Sequence, residues 1–145
     1  GGAASATTLR ATKAIRFAAS PTPGTFTVDE EINQATTGAV GKVVEYDSTN
    51  RILYYIQTRF NDEGADSNGN KTAFSTAAVV SGQDSSATGT PDTGFSSSVN
   101  GASFTGGYSS SELDNDTGDV MYIENRAPIT RATDQTENVK LVVEF

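Results

Sequence analysis

The 145-residue sequence predicts a mainly β fold: antiparallel strands in a two-layer sandwich or barrel-like domain with long irregular loops. Three observations predict it. Gly (14 residues), Ser, Thr and Asn are abundant, which suits short strands joined by many turns. The most apolar stretches alternate with period two, the mark of a strand with one buried face. Only 35% of residues are hydrophobic and the mean hydropathy is −0.38, so the core they build is modest. One domain spanning 1–145 is the natural expectation at this length. The start, Gly1-Gly2-Ala3-Ala4, has no initiator Met and no signal-peptide pattern. The chain therefore reads as an excised C-terminal portion of a longer protein.

Residues 1–8 are small and polar. From Leu9 the pattern tightens: Leu9, Ala11, Lys13, Ile15 and Phe17 alternate with Arg10, Thr12, Ala14 and Arg16. This predicts a strand, with a short amphipathic helix as its competitor, because Leu9, Lys13 and Phe17 also recur every four residues. Ser20-Pro21-Thr22-Pro23-Gly24 then breaks regular structure. Phe26 to Ile32, the small-residue stretch Thr36-Thr37-Gly38-Ala39 and the β-branched Val43-Val44 predict a hairpin. Val40 to Tyr46 and Arg51 to Phe60 form a second strand pair, joined by the turn formers Asp47-Ser48-Thr49-Asn50. Ile52 to Ile56 is apolar on both faces, which places this strand centrally in the sheet, with Tyr54 and Ile56 largely buried.

Asn61 to Asn70 is a polar loop. A short strand is expected around Ala77 to Val80. Residues 81–116 hold many Ser, Gly, Thr and Asp and few large apolar side chains, and predict a long loop-rich excursion over the surface or onto a neighbouring subunit. A fainter echo of the Phe26 to Val44 pattern, short of a repeat, lies at Phe95 to Gly106, with Val99-Asn100-Gly101-Ala102 as its turn. Val120-Met121-Tyr122-Ile123 and the alternating Val139, Leu141, Val143 and Phe145 predict two further strands. The second is expected to pair with the first or with another strand of the same sheet, and Phe145 to be buried; the alternative is an exposed arm kept for a neighbouring subunit.

Composition excludes several functions. Cys is absent, so disulfides and thiolate zinc sites play no part. His is absent too, which removes the commonest general base and metal ligand. A net charge of −8 and a pI near 4.3 argue against a nucleic-acid partner. No run approaches the roughly 18 apolar residues of a membrane helix, so no membrane partner is expected. Two acidic loops, Asp66 to Asn70 and Asp114 to Asp119, raise calcium. A helix-loop-helix calcium site wants Gly sixth and Glu twelfth in its loop. Counting from Asp114 places Asp119 sixth and Asn125 twelfth, and counting from Asp66 places Lys71 sixth, so both read as solvated turns. Glu30-Glu31 and Asp62-Glu63 are adjacent carboxylates, and neighbours on a strand point to opposite faces rather than across one cleft. A Ser nucleophile would lack its base. No catalytic, cofactor-binding or metal-binding residue is assigned, and enzyme activity is not expected.

The stretch Thr117-Gly118-Asp119-Val120-Met121-Tyr122-Ile123-Glu124-Asn125-Arg126, then Pro128-Ile129, then Asp134-Gln135-Thr136-Glu137 and the apolar run to Phe145, resembles the C-terminal part of a phage protein. The family is that of the baseplate wedge protein called gene product eight in T-even-type contractile-tailed phages and their marine relatives. The resemblance covers about a fifth of the chain. It implies a mainly β, non-enzymatic structural component of the virion tail baseplate, assembled in the host cytoplasm through contacts with other baseplate or tail proteins, and it admits a homo-oligomer. Candidate interface residues are Tyr122, Glu124, Asn125, Arg126, Pro128, Arg131 and Gln135. The plainer expectation for Glu124-Asn125-Arg126 is internal: Asn125 caps a strand end and Arg126 pairs with Glu124, Asp134 or Glu137. The rival function is a carbohydrate-binding or adhesive β-sandwich. Absent Trp and only five Tyr leave few aromatic platforms for sugars to stack on.

Overall fold

The structure, a computed structural model, describes residues 10–57, 63–113, 122–127 and 140–144. Among the described residues there is no helix, and nine strands follow in order. They are β1 Lys13–Arg16, β2 Glu31–Gln34, β3 Ala39–Asp47, β4 Ile52–Ile56, β5 Val80–Gly82, β6 Thr88–Gly89, β7 Ser98–Val99, β8 Ala102–Ser103 and β9 Tyr108–Ser109. Seven form one antiparallel sheet in the order β6-β5-β2-β3-β4-β1-β9, and β7 and β8 form a separate small sheet. The mainly β, antiparallel expectation holds.

The two predicted hairpins are the centre of the large sheet. β2 and β3 are joined by a turn ending at Gly38, whose positive φ of 76° suits a residue without a Cβ. β3 and β4 are joined by Asp47 to Asn50, where Asp47 Oδ1 accepts from the Asn50 backbone N–H at 3.1 Å and Oδ2 from its side-chain amide at 2.7 Å. Ile15 of β1 lies opposite Leu53 of β4, which lies opposite Tyr46 of β3. These three side chains belong to the main core with Phe17, Ile32 and Val43. The aromatic rings there stack: Phe17 on Phe26 at 5.4 Å, with Tyr46 edge-on to Phe26 at 5.4 Å.

The ends of the large sheet curl toward each other. Phe17 bridges to Pro91, Ala18 N–H donates to Thr90 O at 2.8 Å, and Gly24 N–H donates to Thr88 O at 2.9 Å. The chain after β1 thereby closes on the chain through β6, which gives the sheet its barrel-like form. The β7–β8 hairpin covers the opposite face of β1 and β4. Ala14 and Ile52 pack there against Ala102 and Phe104. Its turn is Asn100-Gly101, both at positive φ (51° and 77°), the geometry an Asn-Gly hairpin favours. Asn100 Nδ2 ties this turn to Asp47 Oδ2 at 3.0 Å.

The structure corrects several expectations. The predicted strand from Leu9 is β1, beginning only at Lys13, and the helical competitor is not formed over the described residues. In β4 it is Ile52, Leu53 and Tyr55 that are buried, while Tyr54 and Ile56 are only half-buried. Leu53 and Tyr55 face the main core, whereas Tyr54 faces the smaller cluster under β7–β8. The strand expected near Ala77 forms at Val80–Gly82. Residues 81–113 are loop-rich, yet they supply Ala87, Ala102 and Phe104 to the buried clusters and four short strands, of which β6 pairs with β5, β9 with β1, and β7 with β8.

The largest correction concerns the last predicted strands. Residues 122–127 and 140–144 form no strand, and Tyr122, Ile123, Leu141 and Val142 are 78–83% exposed, with Val143 at 59%. Val120, Met121, Val139 and Phe145 lie outside the described residues. Alternation states a preference for a sheet, but a strand also needs an edge to join. β6 bonds outward to Gly24, the chain beyond it is bonded to Phe17 and Ala18, and β9 offers only two residues.

Candidate interaction surface

Three buried polar side chains organise the loops, and their bonding decides what chemistry remains. Glu30 is 1% exposed at the entry to β2. Its carboxylate accepts from Thr27 N–H at 2.6 Å, Ser85 N–H at 2.9 Å, Asp84 N–H at 3.2 Å and the Ser85 hydroxyl at 2.8 Å. Burial pushes its pKa up, but the hydrogen bonds from Ser85, Thr27 and Asp84 outweigh it and hold the carboxyl below its ordinary value. Gln34, fully buried, donates to Ala78 O at 2.7 Å and accepts from Ser75 N–H and the Thr37 hydroxyl, both at 2.9 Å. Gln57 donates to Thr72 O at 2.6 Å and accepts from Lys13 Nζ at 2.8 Å. Each group stitches a loop to the sheet, and each is saturated by that task.

Glu31, the sequence neighbour of Glu30, is exposed on the other side of the strand, so the two carboxylates do not meet. It borders a cleft of about 330 Å³ with Asp29, Lys42, Glu63 and Asp84, all exposed. Lys42 Nζ stands 3.7 Å from Asp29 Oδ1. The cleft is acidic and open, with no buried carboxyl facing it as a general acid. Asp62 lies outside the described residues.

The Asp66 loop uses its carboxylate internally. Oδ1 accepts from Asn68 N–H at 2.9 Å and Asn70 N–H at 2.8 Å, and Oδ2 faces the Asn70 amide at 3.3 Å. These bonds, that from the Asn70 backbone foremost, lower the Asp66 pKa. Among the described residues no group of three or more His, Cys, Asp or Glu is placed to hold a metal ion. The Asp114 loop lies outside them. Among the described residues no helix is long and apolar enough to cross a membrane, which says nothing about strand-built membrane proteins.

Of the candidate interface residues, those described belong to no strand. Tyr122, Glu124, Asn125 and Arg126 are all exposed. Arg126 Nε forms an ion pair with Glu124 Oε1, one of the three internal partners expected for it; the other two, Asp134 and Glu137, lie outside the described residues. Exposed pairs of this kind contribute little to stability. Pro128, Arg131 and Gln135 lie outside the described residues, so the structure joins only Glu124 and Arg126 of the predicted set. Leu141 and Val143, whose alternation favoured burial, are outward side chains here, as the alternative of an exposed arm requires. Sequence reasoning missed Glu30 and Gln34 as structural hubs. Gln34, opposite Ala39 in the β2–β3 hairpin, carried no signal that set it apart from Glu31 and Asn33, the other polar residues of a strand whose one apolar side chain is Ile32.

Comparison with known proteins bears on this region. The family model described as Bacteriophage T4, Gp8, a baseplate wedge protein, matches residues 89–145. That is 57 of the 145 residues, and the match extends the resemblance seen at Thr117 to Phe145 back to β6. It takes in the β7–β8 hairpin, β9 and both exposed apolar segments. No curated protein and no solved structure matches the chain.

Proposed function

We propose that the chain is a structural component of a phage tail baseplate wedge, located in the virion, and works by protein–protein assembly without catalysis. The family match over residues 89–145 carries this reading. Two features of the fold support it. The buried polar groups Glu30, Gln34 and Gln57 are consumed in holding loops, and six large apolar side chains are exposed among the described residues of the matched region: Leu113, Tyr122, Ile123, Leu141, Val142 and Val143. Exposed apolar residues of this kind suit contact with a partner. Tyr122, Glu124, Asn125, Arg126, Pro128, Arg131 and Gln135 form the candidate contact with other baseplate or tail proteins. Assembly would take place in the host cytoplasm.

The carbohydrate-binding alternative finds less support. The rings of Phe17, Phe26, Tyr46, Tyr55, Phe74, Phe95 and Phe104 are engaged with one another. Among the described residues Tyr122 is the one strongly exposed aromatic. Co-expression with the proteins encoded beside it, followed by affinity capture, tests the proposal. Capture of tail proteins, weakened by Tyr122→Ala with Arg131→Ala at unchanged melting temperature, is expected. Failure to capture any tail protein, combined with saturable binding on a glycan array, would overturn it.

A further inference from the structure

The sequence holds two Asn-Gly pairs, Asn68-Gly69 and Asn100-Gly101, and the fold treats them differently. Asn is chemically labile, and a following Gly has no side chain to keep its backbone nitrogen away from the carboxamide. Both Asn side chains are exposed, and both Gly residues have a left-handed backbone, at φ 79° and 77°. The difference lies in the nucleophile. The Gly69 N–H donates to Asp66 O at 2.8 Å, and Asp66 Oδ1 accepts from the N–H groups of Asn68 and Asn70 on either side. That nitrogen is tied down in a laced loop. Among the described residues no group accepts from the Gly101 N–H.

Asn100 stands at the tip of the β7–β8 hairpin, in a two-residue turn. Among the described residues its side chain makes one hydrogen bond, from Nδ2 to Asp47 Oδ2 at 3.0 Å. This is a surface bond, so water competes for it, and it leaves Cγ open to attack. The same bond sets the consequence of a reaction there. Donors from Asn50 foremost hold the Asp47 carboxyl below its ordinary value, so it is ionised near neutrality. A carboxylate at position 100 would put two like charges where a donor now meets an acceptor. The hairpin that Asn100 ties down is the cover over β1 and β4, through Ala102 and Phe104.

We propose that Asn100 is a site of spontaneous deamidation, and that the conversion unlatches the β7–β8 hairpin from the β3–β4 turn. The Gly101 nitrogen gives its proton to hydroxide and bonds to Asn100 Cγ. The Cγ–Nδ2 bond breaks, and Nδ2 leaves as ammonia with a proton from water, which regenerates the hydroxide. A five-membered imide results. Water then opens the ring at either carbonyl and leaves aspartate or isoaspartate at position 100. In sum, one water is consumed and one ammonia released, with no oxidant or reductant. The neutral carboxamide becomes a negative charge. In isoaspartate the backbone also runs through Cβ, which lengthens the tight turn. The inference rests on the hairpin and does not depend on a baseplate role.

Incubation of the full chain at mildly alkaline pH, followed by peptide mapping with mass spectrometry, tests the site. A gain of one mass unit should accumulate at Asn100 severalfold faster than at Asn68. In concentrated urea the Gly69 N–H is released, and the two rates should converge. An Asn100 that stays intact, or that reacts no faster than Asn68 in the folded chain, would overturn the proposal. So would a difference that persists unchanged in urea, since the fold would not then be its cause. Hydrogen exchange reads the latch. Asn100→Asp carries the charge of the product, and the amides of residues 98–103 should exchange severalfold faster than in the parent, with those of β2 and β3 unchanged. Asn100→Gly suits the positive φ, removes the bond without adding charge, and should fall between the two. Exchange in 98–103 that is unaltered in both variants would overturn the unlatching.

Discussion

Glu30 shows how one side chain can hold two distant parts of the chain together. It sits at the start of β2, yet its partners at Asp84 and Ser85 lie more than fifty residues away. Gly82 makes room for it: a Cβ there would fall 2.6 Å from Glu30 Oε2. Glu30→Gln keeps the shape but loses the charge that four donors address, and should cost about 1–3 kcal/mol in urea unfolding. The pH dependence follows from the same bonds. Because the folded pKa is held below the ordinary 4.5, the stabilisation is complete above that value. It is lost as pH falls through the depressed folded value. Asp47, held low chiefly by its bonds from Asn50, acts in the same direction. A series of unfolding curves from pH 6 down to 2 should therefore show a shallower acid decline in Glu30→Gln than in the parent, with the remainder due to groups such as Asp47.

At the scale of the element, β3 and β4 show why alternation alone misassigns faces. The register between them shifts at Val43/Glu45, so Val44 is an extra residue in a β-bulge. Ala39, Gly41 and Val43 face inward before it, and Tyr46 faces inward after it, although strict alternation would have turned Tyr46 outward. β4 carries the matching consequence. Leu53, fully buried opposite both Ile15 and Tyr46, should lose about 2–5 kcal/mol as Leu53→Ala. The half-buried Ile56 should lose less, about 1–2 kcal/mol, as Ile56→Ala. Equal losses in equilibrium denaturation would contradict the assigned faces. The turn into β9 depends on Gly107, at φ 80°, where a Cβ would lie 2.6 Å from the Asp92 carbonyl oxygen. Its own carbonyl accepts from Arg16 N–H at 2.8 Å, anchoring β1. Gly107→Ala combines a left-handed backbone with a backbone clash and should cost at least about 1 kcal/mol, read as a lowered urea midpoint.

For the whole molecule, the buried clusters are built from residues within 10–57 and 63–113. Both faces of β1 and β4 are covered, one by the main core and the other by the β7–β8 hairpin. Residues 140–144 bury nothing comparable. Deleting 139–145 should therefore leave a cooperative thermal melt within a few degrees of the parent by circular dichroism. A collapse of the melt would return these residues to the core.

Much of this fold is legible in the amino-acid sequence by itself, for local reasons. The β class, the β2–β3 and β3–β4 hairpins, the Asn100-Gly101 turn and the central place of β4 each follow from contiguous residues: turn formers between β-branched and aromatic runs. The resemblance at Thr117 to Phe145 is likewise a property of residues in a row, and it points to the family matched at 89–145. Packing decided the rest. The bulge at Val44 shows itself only in the register against β4. The chain around Asp84 and Ser85, sparse in apolar residues, is held in place because Glu30 needs its donors. The direction of Leu141 and Val143 was beyond local reading for a related reason. Alternation records that a segment suits a sheet, but whether an edge is free to receive it depends on where every other strand has gone, and here closure through Phe17, Ala18 and Pro91 left the described sheet only the two-residue β9.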